Sequence, residues 1–181
     1  HFDEALDAYE KALICDPQAG FINEKLPVLL LRLERTDEAE AWLKEYLVRH
    51  GENTGMRMLY AKVLIRQKKN ELAMQQYQQI LAQHPDDPAI LLLLAEMYLA
   101  GKQLDKARPI LERVLTADSS SYPGHILTAR LLQQDGKPDL AVPHYRKALE
   151  KNWSSELQME LGELFIKTEQ YSQAASLYKE I

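Results

Sequence analysis

Five histidines are the residues of this sequence best suited to ligate a metal ion or to transfer protons: His1, His50, His84, His125 and His144. A zinc or iron site usually needs histidines and carboxylates at short spacings such as HExxH or HxH. Neither spacing occurs, and the acidic residues do not cluster around the histidines. We therefore expect no metal site.

Nucleophilic and phosphate-binding chemistry is not predicted either. Ser119, Ser120 and Ser121 lie in a predicted turn, but no histidine and aspartate follow a pattern that would activate a serine. The seven glycines form neither GxGxxG nor GxxxxGK, the loops that cradle phosphates. Asp86 and Asp87 are typical of helix N-caps. The sequence predicts no catalytic residue, no cofactor and no enzymatic activity.

The composition is that of a folded, acidic protein. Its 181 residues are 46% hydrophobic and carry a formal net charge of −5. A surface that binds nucleic-acid phosphates needs a net basic face, and no long run of Lys or Arg occurs. No apolar run approaches the roughly 20 residues of a membrane helix. The single Cys15 cannot form an internal disulfide, which favours a reducing compartment such as the cytoplasm and leaves a periplasmic location open.

Alanines recur at a nearly constant spacing along the chain. The steps between them are 34, 34, 34, 34 and 33 residues, and they fall at Ala5, Ala39, Ala73, Ala107, Ala141 and Ala174. Each is followed four residues later by a large side chain, at Tyr9, Leu43, Tyr77, Leu111, Tyr145 and Tyr178. A period of this length predicts stacked structural repeats.

A second helical segment lies between successive alanines. Leu91, Leu94, Ala95 and Tyr98 occupy i, i+3, i+4 and i+7, one face of a helix. Each repeat is therefore predicted as helix A, short turn, helix B, short turn. We expect Pro27 to delay or kink its helix A. The prediction is a single array within a longer chain: a lone helix B at 1–17, then helix pairs at 20–53, 54–87, 88–121, 122–154 and 155–181.

The alanines have a packing reason. Two helices cross closely where a small side chain meets another small one, and a large neighbour fills the adjoining hole. We expect Ala95 and Gly162 on helix A to face Ala107 and Ala174 on helix B. A larger residue there would overpack the crossing at about 1–3 kcal/mol.

This pattern resembles the tetratricopeptide repeat family. That repeat has small residues at its eighth and twentieth positions, an aromatic or Leu at its twenty-fourth, and often Pro at its thirty-second. Pro17 and Pro85 match the last position, whereas Gly51, Ser119 and Trp153 depart from it. The resemblance implies an all-α, right-handed α-solenoid of stacked antiparallel helix pairs. It also implies a non-enzymatic protein–protein interaction scaffold that binds a peptide or protein segment in a concave groove lined by helix A.

Outward positions of helix A form columns that would line this groove. The candidate residues are Met58, Lys62, Ile65, Leu92, Glu96, Leu99, Ile126, Arg130, Met159 and Glu163. In one interpretation the apolar columns pack against neighbouring A helices and the charges pair in a ladder. In the other they accept a peptide with apolar anchor residues, which such long apolar columns favour.

Other partners and roles are also open. Related helical-hairpin repeats bind RNA, but the acidic balance and the lack of a basic column argue against it. The segment could also regulate an enzyme encoded elsewhere in the chain. Some tetratricopeptide repeat proteins clamp acidic tails with Lys and Asn. Those positions here hold Glu24, Val28, Met58 and Leu59, so that specificity is not expected.

The ends of the array are predicted to expose apolar side chains. Phe2, Leu6 and Tyr9 would lack a covering helix A, and Leu177 and Ile181 would lack a following repeat. Each uncovered large apolar side chain forgoes about 1.5–3 kcal/mol of burial. We therefore expect weak self-association through the ends.

Overall fold

The chain is helical wherever the structure describes it. A computed structural model describes residues 2–16, 20–51 and 53–179, which contain helices and turns but no strand. The helices are α1 (Phe2–Cys15), α2 (Gly20–Arg32), α3 (Thr36–His50), α4 (Thr54–Arg66), α5 (Asn70–Gln83), α6 (Pro88–Ala100), α7 (Leu104–Ala117), α8 (Tyr122–Gln134), α9 (Pro138–Lys151), α10 (Ser155–Lys167) and α11 (Tyr171–Tyr178). None of these described helices is long and apolar enough to cross a membrane. The predicted all-α fold of helix pairs is confirmed.

Two compact units make up the chain, His1–Gln83 and His84–Ile181. Consecutive helices contact each other from α1 to α5 in the first unit and from α6 to α11 in the second. The predicted A helices are α2 and α4 in the first unit and α6, α8 and α10 in the second; the others are B helices. That all the helices belong to one array stays a prediction.

The A helices from α4 onwards begin at side-chain caps that recur with the repeat. In each case a side-chain oxygen accepts a hydrogen bond from backbone N–H groups two or three residues further on, at 2.9–3.4 Å. The cap residues are Asn53, Asp87, Ser121 and Ser154. These caps satisfy N–H groups that the first turn leaves unpaired, so local chemistry fixes each start. Asp87 is thus confirmed as a cap, whereas Asp86 accepts a hydrogen bond from Arg113 at 2.8 Å.

Every turn from helix A to helix B holds one residue in the left-handed backbone region. These residues have φ between 55° and 71° and are Glu34, Lys68, Lys102, Gly136 and Glu169. The next N–H donates to the carbonyl five residues earlier at 2.8–2.9 Å, which closes the end of helix A. Only glycine adopts this conformation without steric cost, so the turns other than Gly136 are strained.

Five of the six recurring alanines lie in the core, and Ala5 is half-buried. The fully buried ones are Ala39, Ala73, Ala107 and Ala141 on B helices, with Ala61, Ala95 and Ala129 on A helices. The large residues beside the first group are buried as well: Leu43, Tyr77, Leu111 and Tyr145. These burials agree with the predicted close packing. Tyr178 differs from these residues because it is 39% exposed. A Cβ added at Gly162 would lie 2.3 Å from the Tyr178 hydroxyl.

Two predictions about the first unit are wrong. The delayed start expected from Pro27 is wrong, because α2 begins at Gly20 and Pro27 lies inside it; a kink at Pro27 stays a prediction. Leu6 is buried, because α2 packs against α1 and covers it. Of the other predicted end residues, the side chain of Phe2 and the whole of Ile181 lie outside the described residues.

Candidate functional site: the exposed face of the A helices

In the second unit the A helices present a face of mixed apolar and charged side chains. Leu92 of α6 and Ile126 of α8 are half-buried, and Met159 of α10 is 50% exposed. Glu96 of α6 and Glu163 of α10 are exposed beside them. Helix α6 contacts α8, and an ion pair joins α8 to α10, so the three helices form a connected surface.

The ion pair within this face is formed by Arg130 and Glu160. Nη2 and Nε of Arg130 donate to Oε1 and Oε2 of Glu160 at 2.6 and 3.1 Å. This hydrogen bonding is the main cause that raises the pKa of Arg130. The ladder interpretation would pair Arg130 with Glu96 or Glu163. The guanidinium instead binds Glu160, one helical turn before Glu163.

A buried hydroxyl connects the ion pair to the core. The Tyr145 hydroxyl lies 2.9 Å from Oε1 of Gln133 and 3.1 Å from Oε2 of Glu160. Both oxygens are acceptors, so the single hydroxyl proton is shared between them. Burial and the charge of Glu160 raise the pKa of Tyr145, which keeps the hydroxyl protonated. The sequence predicted only that Tyr145 fills space, but it also holds Glu160 in position.

Glu96 and Glu163 keep carboxylates that are open to solvent. No hydrogen bond or ion pair links either of them to another side chain in the described ranges. The charge of Glu96 still acts on Arg130, since it contributes to the raised pKa of that guanidinium. These two carboxylates therefore flank a cation that is already neutralised.

Leu99 does not lie on the open face, although its seven-residue step from Leu92 predicted it there. It is only 4% exposed, whereas its counterparts Ile65 and Ile166 are 39% and 47% exposed. Helix α6 contacts the next A helix, α8, in addition to its helix B, α7. Leu99 is a core residue, and its predicted place in the binding face is wrong.

In the first unit the corresponding face lies on α2 and α4. Met58 is half-buried, while Val28, Lys62 and Ile65 are exposed. Lys62 forms no ion pair with any residue that the structure describes. That the columns of the first unit continue into those of the second stays a prediction.

One position of helix A carries a buried polar side chain in four repeats, which sequence reasoning missed. The four residues are Asn23, Arg57, His125 and Gln158. Nη1 of Arg57 donates to Oε1 of Gln76 at 2.9 Å, and Nδ1 of His125 lies 3.0 Å from Nδ1 of His144. Both partners lie on the following helix B, 19 residues further on. A search for polar residues at this separation would have found both pairs.

The histidine pair has a defined proton arrangement. Nε2 of His125 lies 3.0 Å from the Ser119 carbonyl oxygen, which can only accept, so Nε2 carries a proton. When His125 is neutral, its Nδ1 accepts the proton of Nδ1 of His144. Burial lowers the pKa of His144, and the charges of His125 and Lys147 lower it further. Within the described residues, no three or more metal-ligating side chains come together.

Several solved structures share this fold. A tetratricopeptide repeat protein from Parabacteroides merdae ATCC 43184 superposes with a TM-score of 0.83 at 15% identity, over 99% of this chain and 72% of that chain. A fragment of MamA from Desulfovibrio magneticus RS-1 gives a TM-score of 0.78 at 18% identity, over 88% and 90%. A thermophilic tetratricopeptide repeat protein from Thermus thermophilus gives 0.64 at 20% identity, over 87% and 87%. These identities are low, so the similarity concerns the fold alone.

Family models match the sequence directly, while no curated protein matches it. One model described as a tetratricopeptide repeat matches residues 64–131. A second model with the same description matches residues 1–55, 25–82 and 126–181. The matches of this second model cover more than half of the sequence, and the helix pairs, caps and buried alanines agree with it. The chain belongs to the tetratricopeptide repeat family.

Proposed function

We propose that this protein is a non-enzymatic interaction scaffold that binds a peptide or protein segment on the exposed face of its A helices. The observation that carries the proposal lies in the second unit, where α10 exposes two large apolar side chains, Met159 and Ile166. Leaving such side chains in water forgoes burial energy. Apolar side chains grouped on one face are typical of an interaction surface.

The shape and chemistry of this face suit a peptide. Within the second unit, α6, α8 and α10 repeat the same position with Leu92, Ile126 and Met159, which offers successive contacts to the anchor residues of an extended or helical segment. Met58 and Met159 have flexible side chains that adapt to different apolar partners. In the second unit, the half-buried side chains of Leu92 and Ile126 add apolar contacts that are more rigid than those of the methionines.

The same face is a poor match for RNA. Glu96 and Glu163 would repel phosphates, and the Arg130 guanidinium between them is neutralised by Glu160. Base stacking would need exposed aromatic rings on this face, but Tyr60, Tyr98 and Phe165 of the A helices are buried. These observations favour a protein partner.

Selection from a random peptide library displayed on phage, with the whole protein as bait, tests the proposal. The variant Met159→Ser/Ile166→Ser removes two exposed apolar side chains from the A-helix face. The matched control, Val48→Ser/Leu140→Ser, removes two exposed apolar side chains from B helices. We expect selected peptides to bind the first variant at least about tenfold more weakly, and the control as they bind the parent.

Equal affinity for all three proteins would contradict the proposal, as would a selection that yields no binding peptide. A parallel filter-binding assay uses single-stranded RNA at low ionic strength. Retention of RNA by the parent, with no peptide selected, would support a nucleic-acid partner instead.

A further inference from the structure

The A-helix face of the second unit carries more negative than positive charge. On α10, Glu156, Met159, Glu163 and Ile166 follow at steps of three, four and three residues, so they lie along one side of the helix. All four are exposed. Glu96 adds another exposed carboxylate on α6. The apolar anchors of this face therefore lie directly beside carboxylates.

The cations of this face do not fully compensate these carboxylates. Arg130 is bound by Glu160 through two hydrogen bonds, so its charge and its donors are already used. Lys167, four residues after Glu163 on α10, offsets part of the charge of Glu163 but forms no ion pair with it. Glu96, Glu156 and Glu163 have no ion-pair partner among the residues that the structure describes. The face therefore keeps a net negative charge, with exposed carboxylates beside Met159 and the half-buried Leu92.

We propose that this face selects a basic partner: a segment with apolar anchor residues and interspersed Lys or Arg. The inference rests on the proposed function and names the chemistry of the segment. Complementary charge speeds encounter and disfavours like-charged competitors, while the apolar contacts provide most of the affinity. An acidic segment would bring its carboxylates against Glu96 and Glu163, and is excluded for that reason.

A second copy of this chain is a poor occupant of the same face. The chain has a formal net charge of −5, and apposing two copies through this face would bring Glu96, Glu156 and Glu163 near their equivalents. Like charges opposed across an interface destabilise it. The partner that fits is therefore a different, basic segment.

Peptides selected from the phage library provide the probe for the test. The affinity of one selected peptide is measured by fluorescence anisotropy, together with that of a counterpart in which each Lys and Arg is replaced by Glu. The protein variant Glu96→Gln/Glu163→Gln removes two carboxylates from the A-helix face. The control variant, Glu112→Gln/Glu150→Gln, removes two exposed carboxylates from α7 and α9, so both variants have the same net charge.

We expect the selected peptides to be rich in Lys and Arg and to bind more weakly as salt is added. The A-helix variant should lose about threefold to tenfold in affinity, and the control should change little. Selected peptides without basic enrichment, or equal affinities for both variants, would overturn the inference. The scaffold function would still stand if those peptides bound the Met159→Ser/Ile166→Ser variant more weakly than the parent. If no peptide binds, both ideas fail.

Discussion

Tyr145→Phe isolates the contribution of one buried hydroxyl to stability. The ring of Tyr145 is fully buried on α9, and its hydroxyl reaches Gln133 and Glu160 on the two adjacent A helices. Phenylalanine keeps the ring and removes only the donor. Tyr145→Ala removes both. Comparison of the two variants therefore separates the hydrogen bond from the packing.

The expected magnitudes differ clearly. A hydrogen bond to a charged group contributes about 1.5–3 kcal/mol when both partners are buried. Glu160 is about one-third exposed and also binds Arg130, so water and the guanidinium partly replace the lost donor. We expect Tyr145→Phe to lower the free energy of unfolding by about 1 kcal/mol. Tyr145→Ala should lower it by about 3–5 kcal/mol, because it leaves a cavity.

Urea denaturation followed by circular dichroism measures both changes, with Tyr171→Phe as the control because Tyr171 is exposed. A Tyr145→Phe variant as stable as the parent would refute the hydroxyl argument. A Tyr145→Phe variant as unstable as Tyr145→Ala would refute the separation of the hydroxyl contribution from that of the ring.

Alkaline pH gives an independent check. Since the pKa of Tyr145 is raised, the unfolded chain releases this proton first, from about pH 10, and stability falls with rising pH. Tyr145→Phe should reduce that loss.

Three further variants test the packing, the turns and the histidine pair. Ala107→Leu should lower the free energy of unfolding by about 1–3 kcal/mol in urea titrations, because Ala107 is fully buried. The same change at the exposed Ala117 should be near neutral, and equal effects would show that the repeat register is wrong. Lys102→Gly should raise stability by about 0.5–1 kcal/mol, because φ is 55° there; a loss would contradict the strain argument. The pKa of His144 is lowered, so the unfolded chain binds this proton first as pH falls below about 6.5 and stability decreases. His144→Gln should flatten that decrease in thermal melts across this pH range, and an unchanged slope would contradict the prediction.

The sequence alone determined the helix pairs and their core. A close helix crossing needs a small side chain, and a repeated crossing needs one at a repeated position. The spacing of Ala39, Ala73, Ala107 and Ala141 therefore predicted that these alanines are buried. Caps such as Asp87 were also predictable, because a cap depends on a few neighbouring residues.

Exposure on the A-helix face was decided by the tertiary structure. Ile65, Leu99 and Ile166 share one repeat position, yet Leu99 is buried while the other two are exposed. The helical period fixes the direction of a side chain around its own axis. It does not fix how far neighbouring helices extend over that side chain, which depends on how those neighbours pack.

The tertiary structure also decided which side chains of the chain pair with each other. Arg130 binds Glu160 across 30 residues of sequence, and His125 meets His144 across 19. Neither separation is one at which side chains meet within a single helix. Such partners come together through the stagger and angle between helices, which arise from the whole set of core contacts. The sequence therefore determined which residues face outward as a group, and the packing of the helices decided which of them are paired, covered or free.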